Sequence, residues 1–304
     1  MSAEPQGIAI VTGASSGLGR AFARALVTQK IARTPIRGIP LFGELWLVAR
    51  REERLTELAE ELSRLDAALT IRLIPLDLLA PNAITRLEEA LAASGRDKPL
   101  SILVNNAGYG TYGPLLEVDC GKQMGQIDLN CRVLAESCTR LGPFLGPDSL
   151  VINVASLAAF APLAGFAVYA ASKAFVLSLS CALAAEWEGK GIRVHALCPG
   201  SVSSEFALVA SGGARKEVLH GFSAEKTVDR ALKAAGRGAW ISVPRFKWQL
   251  NRIAGRLFGE KTSARFAWRH LRRPHASNTS DSATNAGPSE SSRHGAVVER
   301  SHEA

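Results

Sequence analysis

The chain has 304 residues, a length that suits one large α/β domain with an appendage better than two full domains. Hydrophobic residues at 47% with charged residues at 21% exclude a chain disordered throughout, and five cysteines without a CxxC or other metal-ligand spacing exclude a disulfide scaffold. The formal charge of +8 gathers late in the sequence (Arg245, Lys247, Arg252, Arg256, Lys261, Arg265, Arg269, Arg272, Arg273), so it describes one segment and not a nucleic-acid-binding fold.

Taken in chain order, seven short β-rich runs alternate with helical patterns: residues 7–12, 44–48, 71–76, 100–105, 150–154, 193–197 and 239–243. Their near-continuous apolar character predicts strands covered by helices on both faces, a doubly wound parallel sheet of the Rossmann type. No basic-then-apolar leader precedes the first run, and Cys120, Cys131, Cys138, Cys181 and Cys198 read as reduced core residues, so a cytoplasmic location is expected.

The first strand runs into Thr12-Gly13-Ala14-Ser15-Ser16-Gly17-Leu18-Gly19 and then a helical pattern over 20–27. Glycines there let the backbone approach a pyrophosphate, while the helix start offers free N–H groups. Residues 31–43, with Pro35, Gly38, Pro40 and Gly43, read as a loop insertion at the edge of the sheet away from the ligand crevice, and so as functionally silent.

The second strand ends in Leu47-Val48-Ala49-Arg50-Arg51, without the acid that would bond a ribose 2′-hydroxyl. Guanidinium groups here would pair with a 2′-phosphate, which favours NADP over NAD. The alternative is that both arginines solvate the start of a helix containing Glu52 and Glu53.

Residues 150–172 carry no charge and are long enough to span a bilayer, yet they include Asn153, Ser156, Pro162, Gly165 and Tyr169. They divide into a buried strand, a loop and a helix start. Tyr169 and Lys173, four residues apart, share one helix face. An ammonium beside a phenol favours the phenolate and lowers a pKa that is otherwise about 10, which makes a usable acid and base near neutrality.

Thr12 to Gly19, Asn105-Asn106-Ala107-Gly108 after the fourth strand, Ser156 thirteen residues before Tyr169, and Pro199-Gly200 after the sixth strand stand in one order. Together they resemble the short-chain dehydrogenase/reductase family over roughly residues 7–243. The resemblance implies a catalytic tetrad of Asn130, Ser156, Tyr169 and Lys173. Tyr169 would exchange a proton with the carbonyl oxygen, Ser156 would hydrogen-bond it, Lys173 would hold the nicotinamide ribose, and Asn130 would hold a water linking Lys173 to solvent.

It also implies cofactor contacts along Gly13, Ser15, Ser16, Gly17, Leu18 and Gly19, with Ser15 and Arg50 at the 2′-phosphate and Asp77 with Leu78 beside the adenine. Asn106, Ala107 and Gly108 would line the cleft, and Pro199, Gly200, Val202 and Ser204 would cover the nicotinamide. Two positions depart from the pattern: Ser16 stands where many NADP-using relatives carry Lys or Arg, and Ser204 replaces the usual Thr.

The implied activity is an NADP-preferring oxidoreductase interconverting a ketone or aldehyde and an alcohol. A non-catalytic dinucleotide-binding regulator or scaffold, or an isomerase or dehydratase using bound cofactor, are the alternatives. The segments 157–166, 109–112 and 203–222, with Phe160, Leu163, Phe166, Phe206 and Leu208, point to an apolar lipid- or steroid-like carbonyl or alcohol, unless they simply pack the core. The helix over 171–186 is apolar nearly all round, and relatives pair it between subunits, so a homodimer or homotetramer is expected.

Residues 1–245 thus form the catalytic domain and 246–273 a basic amphipathic helical extension, either resting on an anionic membrane or docked on the enzyme with a solvated basic side. From residue 274 to 304 scarcely any large apolar side chain remains, which predicts a disordered tail. No metal site and no nucleic-acid partner are expected.

Overall fold

The structure, a computed structural model, describes residues 7–95, 98–214, 221–257, 259–271 and 275. Seven parallel strands form one sheet in the order β3-β2-β1-β4-β5-β6-β7: β1 Ile8–Thr12, β2 Glu44–Ala49, β3 Thr70–Pro75, β4 Leu100–Asn105, β5 Leu145–Val154, β6 Arg193–Leu197 and β7 Ile241–Ser242. Every side chain of β1 is buried, as are nearly all of those of β2 and β4, which is what a sheet covered on both faces requires. The helices that cover it are α1 Gly17–Ile31, α2 Glu52–Leu65, α3 Ala83–Ala93, α4 Cys120–Ile127, α5 Leu134–Leu141, α6 Ala167–Glu188, α7 Phe206–Ala210 and α8 Ala224–Gly236. Two apolar clusters fill the space on either side of the sheet. One is built on Phe22, Leu26, Leu45, Leu47 and Ile152, the other on Ile10, Trp46, Leu87 and Val151.

The chain winds outward from β1 in one direction and from β4 in the other, so the crevice at the carboxyl ends of these two strands is the topological switch point where such folds bind ligands. Thr12 fastens it: its Oγ1 donates to Val104 O at 3.2 Å and accepts from the N–H groups of Asn106 at 2.9 Å and Ala107 at 3.1 Å.

Two strands differ from the sequence expectation. β5 starts at Leu145, which pairs with Leu100 of β4, while the Gly146-Pro147-Asp148 run, with Asp148 at φ 67°, forms an irregularity before pairing resumes at Leu150. Turn-type residues hid that extension. β7 shrinks to Ile241 and Ser242 at the sheet edge. The basic extension is helical as expected, a pair formed by α9 Phe246–Leu257 and α10 Gly259–His270, with Gly259 at φ +70° at the junction.

The loop after α1 packs where the insertion was expected, away from the switch point. Ile36 packs on the core, and Gly38 O accepts from Arg193 at the start of β6. Among the described residues α6 alone is long and apolar enough to cross a membrane; its Tyr169, Ser172, Lys173, Val176, Ser180 and Ala184 are buried in the fold. The tail expected from residue 274 lies outside the described residues apart from His275, as do residues 215–220 of the segment 203–222, the lid over the crevice.

Candidate active site

The loop after β1 turns on Gly13, whose φ of +66° is a left-handed conformation that costs glycine little. A Cβ there would stand 2.7 Å from Asn106 Nδ2, the amide that donates to Thr12 O at 2.8 Å. Gly19, in the first turn of α1, faces the Gly13 carbonyl so closely that no Cβ fits. Ser16 is the N-cap residue of α1, Leu18 packs on the core, and Gly17 lies under Ser204 of the lid. Ser15 is buried, and its Oγ accepts from Arg51 Nη2 at 3.1 Å and Nε at 3.3 Å.

Arg51 is thus the guanidinium that reaches the glycine-rich loop, while Arg50 leaves the strand end in the opposite direction, as neighbouring side chains of an extended chain do. Arg50 is exposed on the side of Tyr109, whose phenol it draws down against burial and Asp128, which together leave that phenol raised.

Arg51 also donates to Glu205 Oε2 at 2.9 Å, and Arg54 binds the other carboxylate oxygen. Burial pushes the Glu205 carboxyl up, but Arg54 and Arg51 outweigh it and hold the group below the usual carboxylate range. This Arg51–Arg54–Glu205 cluster ties the lid to the start of α2. Sequence reasoning missed it, since 154 residues separate Arg51 from Glu205.

Beyond β3, exposed Asp77 accepts from the Leu79 N–H at 3.0 Å while Leu78 is buried. Gly108 lies under Asn130, where a Cβ would come within 2.6 Å of Oδ1 and 3.5 Å of Lys173 Nζ. On the lid side, Gly200 rests on Trp248, buried Val202 bridges Phe222, and Ser204 Oγ accepts from Phe206 N–H at 3.4 Å.

The four tetrad positions converge at the carboxyl end of β5. Lys173 Nζ is buried and donates to Val154 O at 2.8 Å, two residues before Ser156, with Nζ 5.7 Å from the Tyr169 ring centroid. Burial lowers the lysine pKa to about 8, the thiols of Cys131 and Cys198 opposing weakly. Ser156 Oγ accepts from Ala158 N–H at 3.1 Å and lies 3.5 Å from Pro199 O.

Asn130 sits in a π-helical turn, Asp128–Val133, between α4 and α5. Such turns are rare and recur at functional sites, and this one aims an amide inward that a regular helix would carry elsewhere. Asn130 Oδ1 accepts from Tyr109 N–H at 3.1 Å; its Nδ2 donates to Tyr109 O at 2.9 Å and to Ser172 Oγ at 3.0 Å. Ser172 donates in turn to Tyr169 O at 2.8 Å, so the amide is linked to the backbone of the tyrosine turn. Ser172 was not foreseen; its only signal was its place directly before Lys173.

An aromatic wall surrounds Tyr169. Phe166 stacks on it at 4.2 Å between centroids and 19° between planes, Phe206 lies at 5.3 Å, and Tyr112 meets Phe166 at 4.7 Å. Ala158, Leu163, Ala170 and Ala210 complete the apolar cluster.

A doubly wound sheet with a glycine-turned helix start at its switch point and a buried Tyr, Ser and Lys beside it defines a dinucleotide-dependent oxidoreductase fold. Residues 7–211 match the family model of the short chain dehydrogenases. Among curated relatives, sulfoacetaldehyde reductase 2 of Chromohalobacter salexigens is 36% identical over 210 residues, covering 68% of this chain and 77% of the relative. Serine 3-dehydrogenase of Agrobacterium fabrum is 35% identical over 68% of this chain and 76% of its own.

Among solved structures, a short-chain dehydrogenase from Sphingobium yanoikuyae in complex with NADPH superposes with a TM-score of 0.68 at 25% identity, covering 90% of this chain and 98% of that one. A bulky-bulky ketone specific alcohol dehydrogenase from Comamonas testosteroni gives 0.65 at 25%, over 89% and 97%. The chain belongs to the short chain dehydrogenase family and is an oxidoreductase of that family.

Proposed function

We propose that the protein is an NADP(H)-preferring reductase that interconverts a bulky apolar ketone or aldehyde and its alcohol. One observation carries the reading: Tyr169, Ser156 and Lys173 meet at one strand end beneath an aromatic wall, on the same side of the sheet as the glycine-rich loop. The loop fits a dinucleotide, because Gly13 and Gly19 let it turn tightly onto the start of α1, where free N–H groups gather, and Arg51 with Ser15 offers a cationic edge beside it. When bound, the nicotinamide dinucleotide supplies or accepts the hydride. Gly13 to Gly19, Asn106 to Gly108, Asp77, Leu78, and Pro199, Gly200, Val202 and Ser204 would hold it, with Arg51 at the 2′-phosphate and Arg50 on the adenosine side.

The chain's own part is proton handling and orientation. Tyr169 gives its phenolic proton to the carbonyl oxygen in reduction and takes it back in oxidation. Ser156 donates a hydrogen bond to the same oxygen, a preorganised donor for developing charge. Lys173, cationic below about pH 8, stabilises the phenolate that forms. Asn130 holds the turn of Tyr109 against α6, which fixes where Lys173 and Tyr169 stand. Phe166, Phe206 and Tyr112 exclude water and favour an apolar substrate. A homodimer formed through α4 and α6, where Met124, Ile127 and Phe175 are exposed, fits the same reading.

The names of the curated relatives point instead to small polar substrates. A panel of carbonyls with NADPH and with NADH separates the two: bulky aryl ketones turned over with NADPH support the proposal. Turnover confined to sulfoacetaldehyde or to oxidation of serine would replace it with a small-polar-substrate enzyme.

A further inference from the structure

Helix α9 carries apolar residues on two opposite sides. Trp248, only 6% exposed, faces inward, seated against Gly200 and meeting Phe222 edge-on at 5.7 Å. Phe246, Leu250 and Ile253 are 72%, 51% and 53% exposed, and spacings of four and three residues line them up on the other side of the helix. In α10, Phe266 and Trp268 are also exposed, and Lys261, Arg265 and Arg269 recur every fourth residue in exposed positions. Residues 245–273 hold nine Lys and Arg against Glu260 alone, which accounts for the whole +8 of the chain and leaves the rest neutral.

Scattered exposed apolar residues are ordinary, but an apolar stripe on one helix followed by a row of exposed cations on the next, within a strongly basic segment, is the pattern of helices lying in a lipid headgroup layer. Its charge chooses the occupant. A second copy would bring the same positive segment against it, and nucleic acid would leave the Phe246–Leu250–Ile253 stripe unused, whereas an anionic bilayer satisfies both features. The helix that carries the stripe also lies next to the site, since α9 packs on the turn Leu157–Phe160 that follows Ser156.

We propose that α9 and α10 dock the protein on an anionic lipid surface, with Phe246, Leu250 and Ile253 entering the headgroup boundary and the flanking Lys and Arg meeting the lipid charge. The inference does not depend on the substrate proposed above.

Co-sedimentation of the full chain with vesicles tests it. The full chain should bind phosphatidylcholine vesicles containing one third phosphatidylglycerol, bind pure phosphatidylcholine far less, and be released by raised salt. The exposed triple variant Phe246→Ser, Leu250→Ser, Ile253→Ser should lose about tenfold or more in binding while turning over a water-soluble carbonyl as before. Lys261→Glu, Arg265→Glu, Arg269→Glu should lose binding to the anionic vesicles alone. Absence of binding to the anionic vesicles, or binding undiminished in both variants, overturns the proposal. So do a dimer in sedimentation velocity that the serine variant dissolves without any lipid binding, and tighter binding to random duplex DNA than to vesicles.

Discussion

At the residue scale the proposed preference for NADP rests on Arg51. Its guanidinium stands between Ser15 and Glu205, so a 2′-phosphate would compete with an internal carboxylate for the same donors. Arg51→Ala is therefore expected to weaken NADPH binding about tenfold while leaving NADH nearly unchanged, and Glu205→Gln to shift the ratio toward NADPH. Fluorescence titrations with both cofactors check this, and equal losses for NADPH and NADH in Arg51→Ala would dismiss the phosphate role.

Lys173 supplies a second expectation at this scale. Its pKa of about 8 means that raising the pH through that value removes the cation beside Tyr169, so reductive kcat/KM falls there. In Lys173→Arg the guanidinium stays charged, and that alkaline limb should vanish from the profile of whatever activity remains. A limb still present near pH 8 in the arginine variant would assign it to another group. Asn130, Ser156, Tyr169 and Lys173 could be named as candidates from the sequence because the resemblance rests on short local motifs. The contacts of Arg51, and Ser172 and Glu205 altogether, could not, because what selects them is which way a side chain leaves its strand or helix and what lies across the cleft.

At the element scale, the π-helical turn around Asn130 and the edge pair β6–β7 show how local geometry departs from pattern. Asn130 was readable as a residue, but its hydrogen bonds to Tyr109 depend on an inserted helical residue that periodicity does not reveal. In β6, His195 is buried, its Nδ1 2.6 Å from Ala239 O and its Nε2 2.8 Å from Ser242 Oγ. Burial lowers its pKa to about 4, with the Ala239 carbonyl opposing. An unfolded imidazole titrates near 6.5, so between these values the unfolded chain takes up a proton that the folded chain refuses.

Stability is therefore lost as the pH falls from about 6.5 toward 4, by up to about 3 kcal/mol from this group. Urea unfolding at neutral pH and near pH 5 should show a smaller acid loss in His195→Gln than in the wild type; an identical loss in both would place the acid sensitivity elsewhere. The short β7 depends on this histidine as well as on its backbone pairing, since Ser242 is one of only two residues in the strand.

At the scale of the whole molecule, the seven strands, their parallel sense and the doubly wound class were legible, because strand and helix patterns alternate along the chain; the order of the strands in the sheet came from the structure. The strands over 100–105 and 193–197 fall where the apolar runs placed them. What escaped was the seating of α9 by Trp248 under Gly200, which depends on a contact between segments about 50 residues apart in the chain.

The account as a whole stands on Tyr169 performing proton transfer in a site that holds its cofactor independently of that hydroxyl. Its most direct test is Tyr169→Phe, measured side by side with the wild type for NADPH affinity and for NADPH-dependent reduction of a bulky ketone. The account predicts unchanged affinity with turnover reduced by about a hundredfold or more. Undiminished turnover in the phenylalanine variant would contradict it.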